Sequence, residues 1–133
     1  MANRPSESTL EAFRSVTISI LNSSGTDLIL ANFRLTGGSW EKQPVSGTNI
    51  RPSDSHNFVN FTDRTFTNVG GTINLSPVNG GEVSIQWNWA WGSSITGSST
   101  GSNLTGIAVS ASIINPNTVT PTLQVMIVNA PPK

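Results

Sequence analysis

The segment Glu82-Val-Ser-Ile-Gln-Trp-Asn-Trp-Ala-Trp91 carries the clearest alternation of apolar and polar residues in this chain of 133 residues. Five large apolar side chains occupy every second position from Val83 to Trp91. Because successive residues of a β-strand point to opposite faces of a sheet, this period of two places all five on one face. The segment therefore predicts a strand that covers a hydrophobic core with one face.

Shorter runs of the same kind lie on both sides of this segment, separated by turn residues. Leu28–Leu35 is apolar on both faces, which is typical of a strand covered on both sides. Asn79-Gly80 stands between two alternating runs and predicts a hairpin. Further alternating runs begin at Val16, Phe58, Ile73, Thr105 and Leu123. Together they predict an all-β fold, a single-domain antiparallel β-sandwich that spans residues 1–133.

Three segments do not fit the strand pattern. Residues 1–14 form an N-terminal segment in which Ser6–Arg14 has a weak helical pattern, so we expect a short helix there. Gly92–Asn103 is rich in Ser, Thr and Gly and predicts a long loop, either mobile or functional. Residues 130–133 contain two prolines and predict a tail, because proline cannot extend a central strand.

The charge, the cysteine content and the apolar stretches of the sequence exclude several classes of function. Seven basic and seven acidic side chains cancel, and the basic residues are spread singly, which argues against nucleic-acid binding. The chain has no cysteine, so a disulfide framework and a thiolate metal site are excluded. We expect no cofactor and no metal. No apolar stretch reaches the roughly 18 residues of a membrane helix, and the N-terminus lacks the features of a signal peptide.

No motif supports catalysis. Gly97-Ser-Ser-Thr-Gly101 matches the G-x-S-x-G pattern of serine hydrolases, but that motif needs an acid and a histidine downstream. Beyond Glu82 the chain contains no Asp, Glu or His. The lone His56 lacks further ligands that would converge on a metal. We predict that the protein is not an enzyme, and nothing positive supports an enzyme of unrecognised type.

The four tryptophans are the best candidates for a binding function, because a tryptophan side chain suits surfaces that are half apolar and half wet. Trp87 continues the apolar face of its strand and is interpreted as a core residue. Trp89 and Trp91 approach the end of the strand, and we expect at least one of them at the surface. We expect the same of Trp40, which follows Gly37-Gly38-Ser39.

Several short segments, in this order and spacing, resemble the aegerolysin family of small all-β proteins from fungi and bacteria. The likeness covers about Val16 to Met126. It rests on Asn22-Ser-Ser-Gly25, Gly38-Ser-Trp-Glu-Lys42, Ile50-Arg-Pro-Ser-Asp54, Gly71-Thr-Ile-Asn-Leu75 and Trp87-Asn-Trp-Ala-Trp-Gly-Ser93. The resemblance implies a β-sandwich that recognises a membrane lipid, usually of sphingolipid type. It also implies a larger partner that perforates the membrane, either a perforin-like protein or the second component of a binary insecticidal toxin.

The resemblance leads to the first of two functional hypotheses. In it, the protein is the membrane-binding or receptor-binding component of a two-component, pore-forming and insecticidal toxin. It would be made without a signal peptide, would be soluble in a bacterial producing cell, and would act at the target-cell membrane. The contact residues predicted for it are Trp40, Glu41, Lys42, Trp87, Trp89 and Trp91. Exposed aromatic residues and sheet edges also make a homo-oligomer plausible.

The second hypothesis belongs to another class, a carbohydrate-binding lectin. Tryptophan rings stack on sugar faces, and the many Asn, Ser and Thr side chains suit recognition of hydroxyl groups. Competition by free sugars would favour this hypothesis. Binding to vesicles that lack glycans would favour the first.

Overall fold

The computed structural model describes residues 13–130, and this part of the chain folds into ten β-strands. They are β1 (Arg14–Ser23), β2 (Leu28–Gly37), β3 (Ser39–Trp40), β4 (Asn49–Ile50), β5 (Ser55–Thr62), β6 (Val69–Pro77), β7 (Glu82–Trp89), β8 (Thr96–Ser102), β9 (Ile107–Ile114) and β10 (Thr122–Asn129). No helix of the described chain has the length and apolar character needed to cross a bilayer.

The strands form two five-stranded sheets that face each other. Sheet A has the order β3-β5-β1-β10-β9, and sheet B has the order β4-β2-β6-β7-β8. The buried apolar side chains between the sheets form one continuous core to which both sheets contribute. The predicted all-β sandwich is confirmed.

One pair of strands departs from the antiparallel prediction. β1 and β10 run parallel at the centre of sheet A, with Ile18 opposite Leu123 and Ile20 opposite Val125. All four of these side chains are fully buried. Sheet A is therefore mixed, whereas every pair in sheet B is antiparallel.

The central segment of the sequence behaves as its alternation predicts. Val83, Ile85, Trp87 and Trp89 are buried on the core face of β7. Trp91 lies beyond the end of the strand and is 36% exposed. The turn before β7 is the predicted hairpin, closed by a hydrogen bond from the Gly80 N–H to the Pro77 carbonyl oxygen.

A bulge explains why β2 is apolar at both odd and even positions. Leu28 and Leu30 are buried, the pairing with β6 then shifts at Ala31, and Phe33 and Leu35 pack against the same core. One extra residue reverses which face the next side chains occupy. The expectation of a strand covered on both sides is therefore wrong, because the outer face of β2 beyond the bulge is exposed.

The prediction of a loop over Gly92–Asn103 is also wrong. Residues Thr96–Ser102 form β8, which pairs with β7. The paired residues run from Asn88 opposite Thr96 to Glu82 opposite Ser102. Its inward positions include Gly97, where an added Cβ would lie 2.9 Å from Leu123 Cδ1. Large side chains from other elements fill the space over the small residues of β8, so the strand shows no apolar alternation. The hydrolase-like motif lies within this strand and forms no elbow.

Four loops meet at one end of the sandwich, which we call the aromatic end. It consists of Gly38 and the segments 63–68, 90–95 and 115–121, which connect strands at this end. The predicted helix of Ser6–Arg14 lies mostly outside the described residues, and its last residue already belongs to β1. Residues 131–133 of the predicted tail also lie outside the described range.

Candidate functional site

Trp87 is part of the interior that supports the site. Its side chain is 3% exposed, and its indole N–H donates a hydrogen bond of 2.9 Å to Asn60 Oδ1. Gly71 and Gly97 lie beside it on the two neighbouring strands. A Cβ at Gly71 would stand 2.8 Å from the Trp87 ring. The core interpretation of Trp87 is confirmed by this burial.

Asn60 uses its remaining hydrogen-bonding groups to hold the turn between β2 and β3. Its amide nitrogen donates to the carbonyl oxygens of Gly37 (3.0 Å) and Ser39 (3.1 Å). Gly38 between them has a φ of 73°, a backbone conformation that suits glycine. Buried polar groups need such partners, so this arrangement fixes the entry into β3.

Trp40 follows that turn and covers the edge of the core. Its ring meets the ring of Trp87 at 6.0 Å and that of Phe33 at 6.1 Å, both in edge-to-face geometry. It is half-buried, so the surface position expected for it holds only in part. Glu41 and Lys42 are exposed after it, and Lys42 lines a groove of about 250 Å³ that also includes His56.

Trp89 and Trp91 have different surroundings. Trp89 is 8% exposed, and its indole N–H donates to the Ser93 carbonyl oxygen at 3.0 Å. Trp91 is 36% exposed at the aromatic end, and its backbone N–H donates to Asn68 Oδ1 at 3.1 Å. The expectation that at least one of the two reaches the surface is confirmed by Trp91.

Arg14 lies between these two rings. Its guanidinium carbon is 5.1 Å from the centre of the Trp89 ring and 4.9 Å from that of Trp91, which is cation–π geometry. The side chain also donates to the carbonyl oxygens of Thr67 and Trp89. Burial lowers the pKa of Arg14 because desolvation disfavours the charged form, although an arginine stays protonated at neutral pH. Arg14 thereby ties segment 63–68 to segment 90–95.

Phe66 forms the tip of the aromatic end. It is 80% exposed, and its ring meets that of Trp91 at 5.4 Å in edge-to-face geometry. Its φ of 62° is in the left-handed region, which a bulky residue adopts only under strain. Sequence analysis missed Phe66, because its only signal is a single phenylalanine within a polar stretch.

A groove opens next to these aromatic residues. It has a volume of about 490 Å³ and includes Ser39, Phe61 and Thr67. It also includes Asp63 and Arg64, adjacent exposed residues of opposite charge. The aromatic end thus places an apolar tip beside a groove that carries both signs of charge. Lys42 and Glu41 are not among the groove's residues.

Residues 13–130 contain no group of three or more His, Asp or Glu side chains placed to hold a metal ion. The site described above offers aromatic surface, neutral hydrogen-bonding groups, the buried guanidinium of Arg14 and the exposed pair of opposite charges at Asp63 and Arg64. Such groups are typical of a surface that binds a ligand.

Comparisons with known proteins give the fold a set of structural relatives. No protein-family model and no curated protein matches the sequence. The structure is similar to that of the lipid-binding protein Nakanori, with a TM-score of 0.73 and 9% identity over 86% of this chain and 70% of that one. It is also similar to the lectin XCL of Xerocomus chrysenteron, with a TM-score of 0.57 and 8% identity over 86% of this chain and 99% of that one. A substituted form of the same lectin gives a TM-score of 0.58.

These structural similarities show which fold the protein has. The aegerolysin resemblance and the contact residues named from it stay predictions.

Proposed function

We propose that this protein is a non-enzymatic membrane-recognising protein that docks on a lipid surface through its aromatic end. In the same proposal it is the lipid-binding component of a two-component, pore-forming and insecticidal toxin, and acts at the target-cell membrane. The observation that carries the proposal is the exposed Phe66 ring held against Trp91 at the tip of the sandwich.

The protein has a formal net charge of zero. Each basic residue near an anionic membrane contributes about 1 kcal/mol, and this chain has no excess of them. Attachment must therefore come from aromatic side chains, which favour the boundary between headgroups and acyl chains. Phe66 and Trp91 are the exposed aromatic pair at the aromatic end.

Recognition of one lipid among others needs contacts to the headgroup. The groove beside Phe66 has Arg64 to meet a phosphate and Asp63 to meet a quaternary or primary ammonium. Such a pair matches a zwitterionic headgroup of the phosphocholine or phosphoethanolamine type, as sphingolipids carry. The fold shared with a lipid-binding protein supports this choice of ligand class.

The rigidity of the aromatic end supports the proposal that a larger partner perforates the membrane. The aromatic residues are carried on short loops between long paired strands, and Arg14 ties two of these loops together. Such a surface docks without rearranging. Perforation would then be the task of the second protein, either perforin-like or the other component of a binary toxin.

The test is sedimentation with glycan-free vesicles of phosphatidylcholine, of sphingomyelin with cholesterol, and of ceramide phosphoethanolamine. We expect binding to a subset of these without release of a trapped dye. Phe66→Ser and Trp91→Ala should each weaken binding, whereas Val78→Ser, at the opposite end and 60% exposed, should not. Equal binding by all four proteins would contradict the docking surface. Dye release by the protein alone would contradict the two-component mechanism.

Glycan binding is the second candidate function. A lectin shares the fold, and Trp91 offers part of its ring for stacking on a sugar. Free sugars would then compete with binding to cells, and the glycan-free vesicles would not be bound.

A further inference from the structure

The outer face of sheet B, which points away from the core, carries a third concave surface. Its volume is about 330 Å³, within the range of small-molecule sites. Its polar side chains come from four strands: Thr36 on β2, Thr72 on β6, Gln86 and Asn88 on β7, and Thr96 and Ser98 on β8. Gly71, Trp87 and Gly97 complete the lining. We call this surface the polar groove.

The chemistry of the polar groove is uniform. All six side chains are hydroxyls or amides, and each of these groups both donates and accepts hydrogen bonds. None of these six is ionisable, and the exposed Arg34, opposite Thr72 on β2, is not among the residues that line the groove. The apolar core side chains of β7, including the Trp87 ring, point to the other face of the sheet. The ligand that fits such a surface is a neutral molecule with many hydroxyl groups.

The geometry supports the same ligand. Thr72, Gln86 and Ser98 stand opposite one another on three neighbouring strands. Adjacent strands are about 4.8 Å apart, so these groups follow one another at a spacing comparable to the width of a sugar ring. Because they are carried on paired strands, their positions are fixed before any ligand arrives, which reduces the entropy cost of binding.

The amides of the groove are also free to bind. Elsewhere on the same face, the Asn74 amide is engaged, since it donates to Asn32 Oδ1 at 2.6 Å. Gln86 and Asn88 are instead exposed. The groove also adjoins the aromatic end, because Asn88 is the next-to-last residue of β7 and Thr96 is the first of β8.

We propose that the polar groove binds an uncharged hexose, either in a free glycan or in the headgroup of a neutral glycolipid. The site does not depend on whether the aromatic end binds lipid. A membrane that met the aromatic end would bring the sugars of a glycolipid close to the groove.

The first experiment follows the side-chain NH₂ signals of Gln86 and Asn88 by NMR in the full chain. Methyl β-galactoside, methyl β-glucoside and lactose are added separately, at tens of millimolar. We expect saturable shifts of both signals with at least one sugar. The Asn79 amide, which is bonded to Thr26 Oγ1 at the other end of β7, is the internal reference and should not move. Absence of shifts at Gln86 and Asn88 with all three sugars overturns the proposal, and so do shifts confined to Trp91.

A matched pair of variants tests the assignment. Gln86→Ala should weaken sugar binding about three- to tenfold, the loss expected for one or two neutral hydrogen bonds. Ser84→Ala, two residues away on the same outward face but outside the groove, should leave the affinity unchanged. Equal affinities of both variants and the parent protein would overturn the assignment. Both substitutions lie on the outer face of the sheet, so the fold should be retained.

A vesicle experiment distinguishes the two sources of the sugar, and Phe66→Ser separates this proposal from the lipid-docking one. Binding of Phe66→Ser to lactosylceramide vesicles but not to phosphatidylcholine vesicles, with inhibition by lactose, would support a glycolipid. Shifts with free lactose but no preference for lactosylceramide would support a soluble glycan. If Phe66→Ser lost vesicle binding but kept the lactose shifts, the polar groove would stand by itself.

Discussion

The indole N–H of Trp87 donates a 2.9 Å hydrogen bond to Oδ1 of Asn60, and the two residues lie on opposite sheets of the sandwich. Both side chains are buried. The amide of Asn60 in turn holds the backbone on both sides of Gly38. One polar contact between the sheets thus sets the position of the turn that leads into β3 and Trp40.

Replacing Trp87 by Phe should destabilise the fold by about 1–3 kcal/mol, because the Asn60 oxygen would be left buried without a donor. Urea unfolding followed by far-UV circular dichroism measures the change. Trp89→Phe is the matched control, since the Trp89 N–H bonds to a carbonyl in a loop near the surface and its loss should cost less. Equal losses in the two variants would show that the Asn60 contact has no special role.

Replacing Arg14 by Lys should loosen the aromatic end even though the charge is kept. Lysine lacks the planar group that stacks between the Trp89 and Trp91 rings, and a desolvated contact of this kind contributes about 1–2 kcal/mol. We expect faster amide hydrogen exchange in segments 63–68 and 90–95. Arg34→Lys, on the exposed face of β2, serves as the control and should leave exchange unchanged. Unchanged exchange in Arg14→Lys would mean that the two loops are held by other contacts.

Replacing Phe66 by Asn should stabilise the protein while it weakens membrane binding. Relief of the left-handed backbone gives about 1 kcal/mol, since asparagine tolerates that conformation. The lost contact with Trp91 is exposed and costs about 0.5 kcal/mol. Thermal unfolding and vesicle sedimentation measure the two effects. A fall in stability would show that the Phe66 ring contributes more to the fold than its backbone strain costs.

Replacing Gly71 by Ala should destabilise the fold by about 1–3 kcal/mol through overpacking. The new Cβ would stand 2.6 Å from the Arg34 carbonyl oxygen and 2.8 Å from the Trp87 ring. Gly25→Ala is the control, because its nearest neighbour would be 3.9 Å away. The denaturation midpoints of the two variants measure the loss of stability. A Gly71→Ala variant as stable as Gly25→Ala would show that the neighbouring strands move to make room for the new Cβ.

The strands that carry their own apolar alternation could be predicted from the sequence. In β7, every second residue from Val83 to Trp89 is apolar, and these are the buried residues of the strand. In β8, the inward positions are glycine and serine, and the side chains that cover them belong to residues far away in sequence, such as Leu123. A local pattern carries no information about such a partner. For the same reason the parallel pairing of β1 and β10 could not be anticipated.

The candidate site was predictable only in outline. Sequence analysis pointed to the tryptophans, but whether a ring at a strand end is covered depends on the loops that meet it. Trp89 is 8% exposed and Trp91 is 36% exposed, although they are two residues apart. Phe66 lies on a different loop, and only the folded structure brings it to Trp91.

The position of β10 has a consequence for how the chain is made. β10 is the last strand of residues 13–130, yet it lies inside sheet A, between β1 and β9. Until the ribosome has released residues 122–129, β1 lacks one of its two partners and β9 lacks its sheet, so the core side of sheet A stays open. The two sheets can therefore close over the core only once these residues are available, through contacts between distant parts of the chain, which is typical of slow folding.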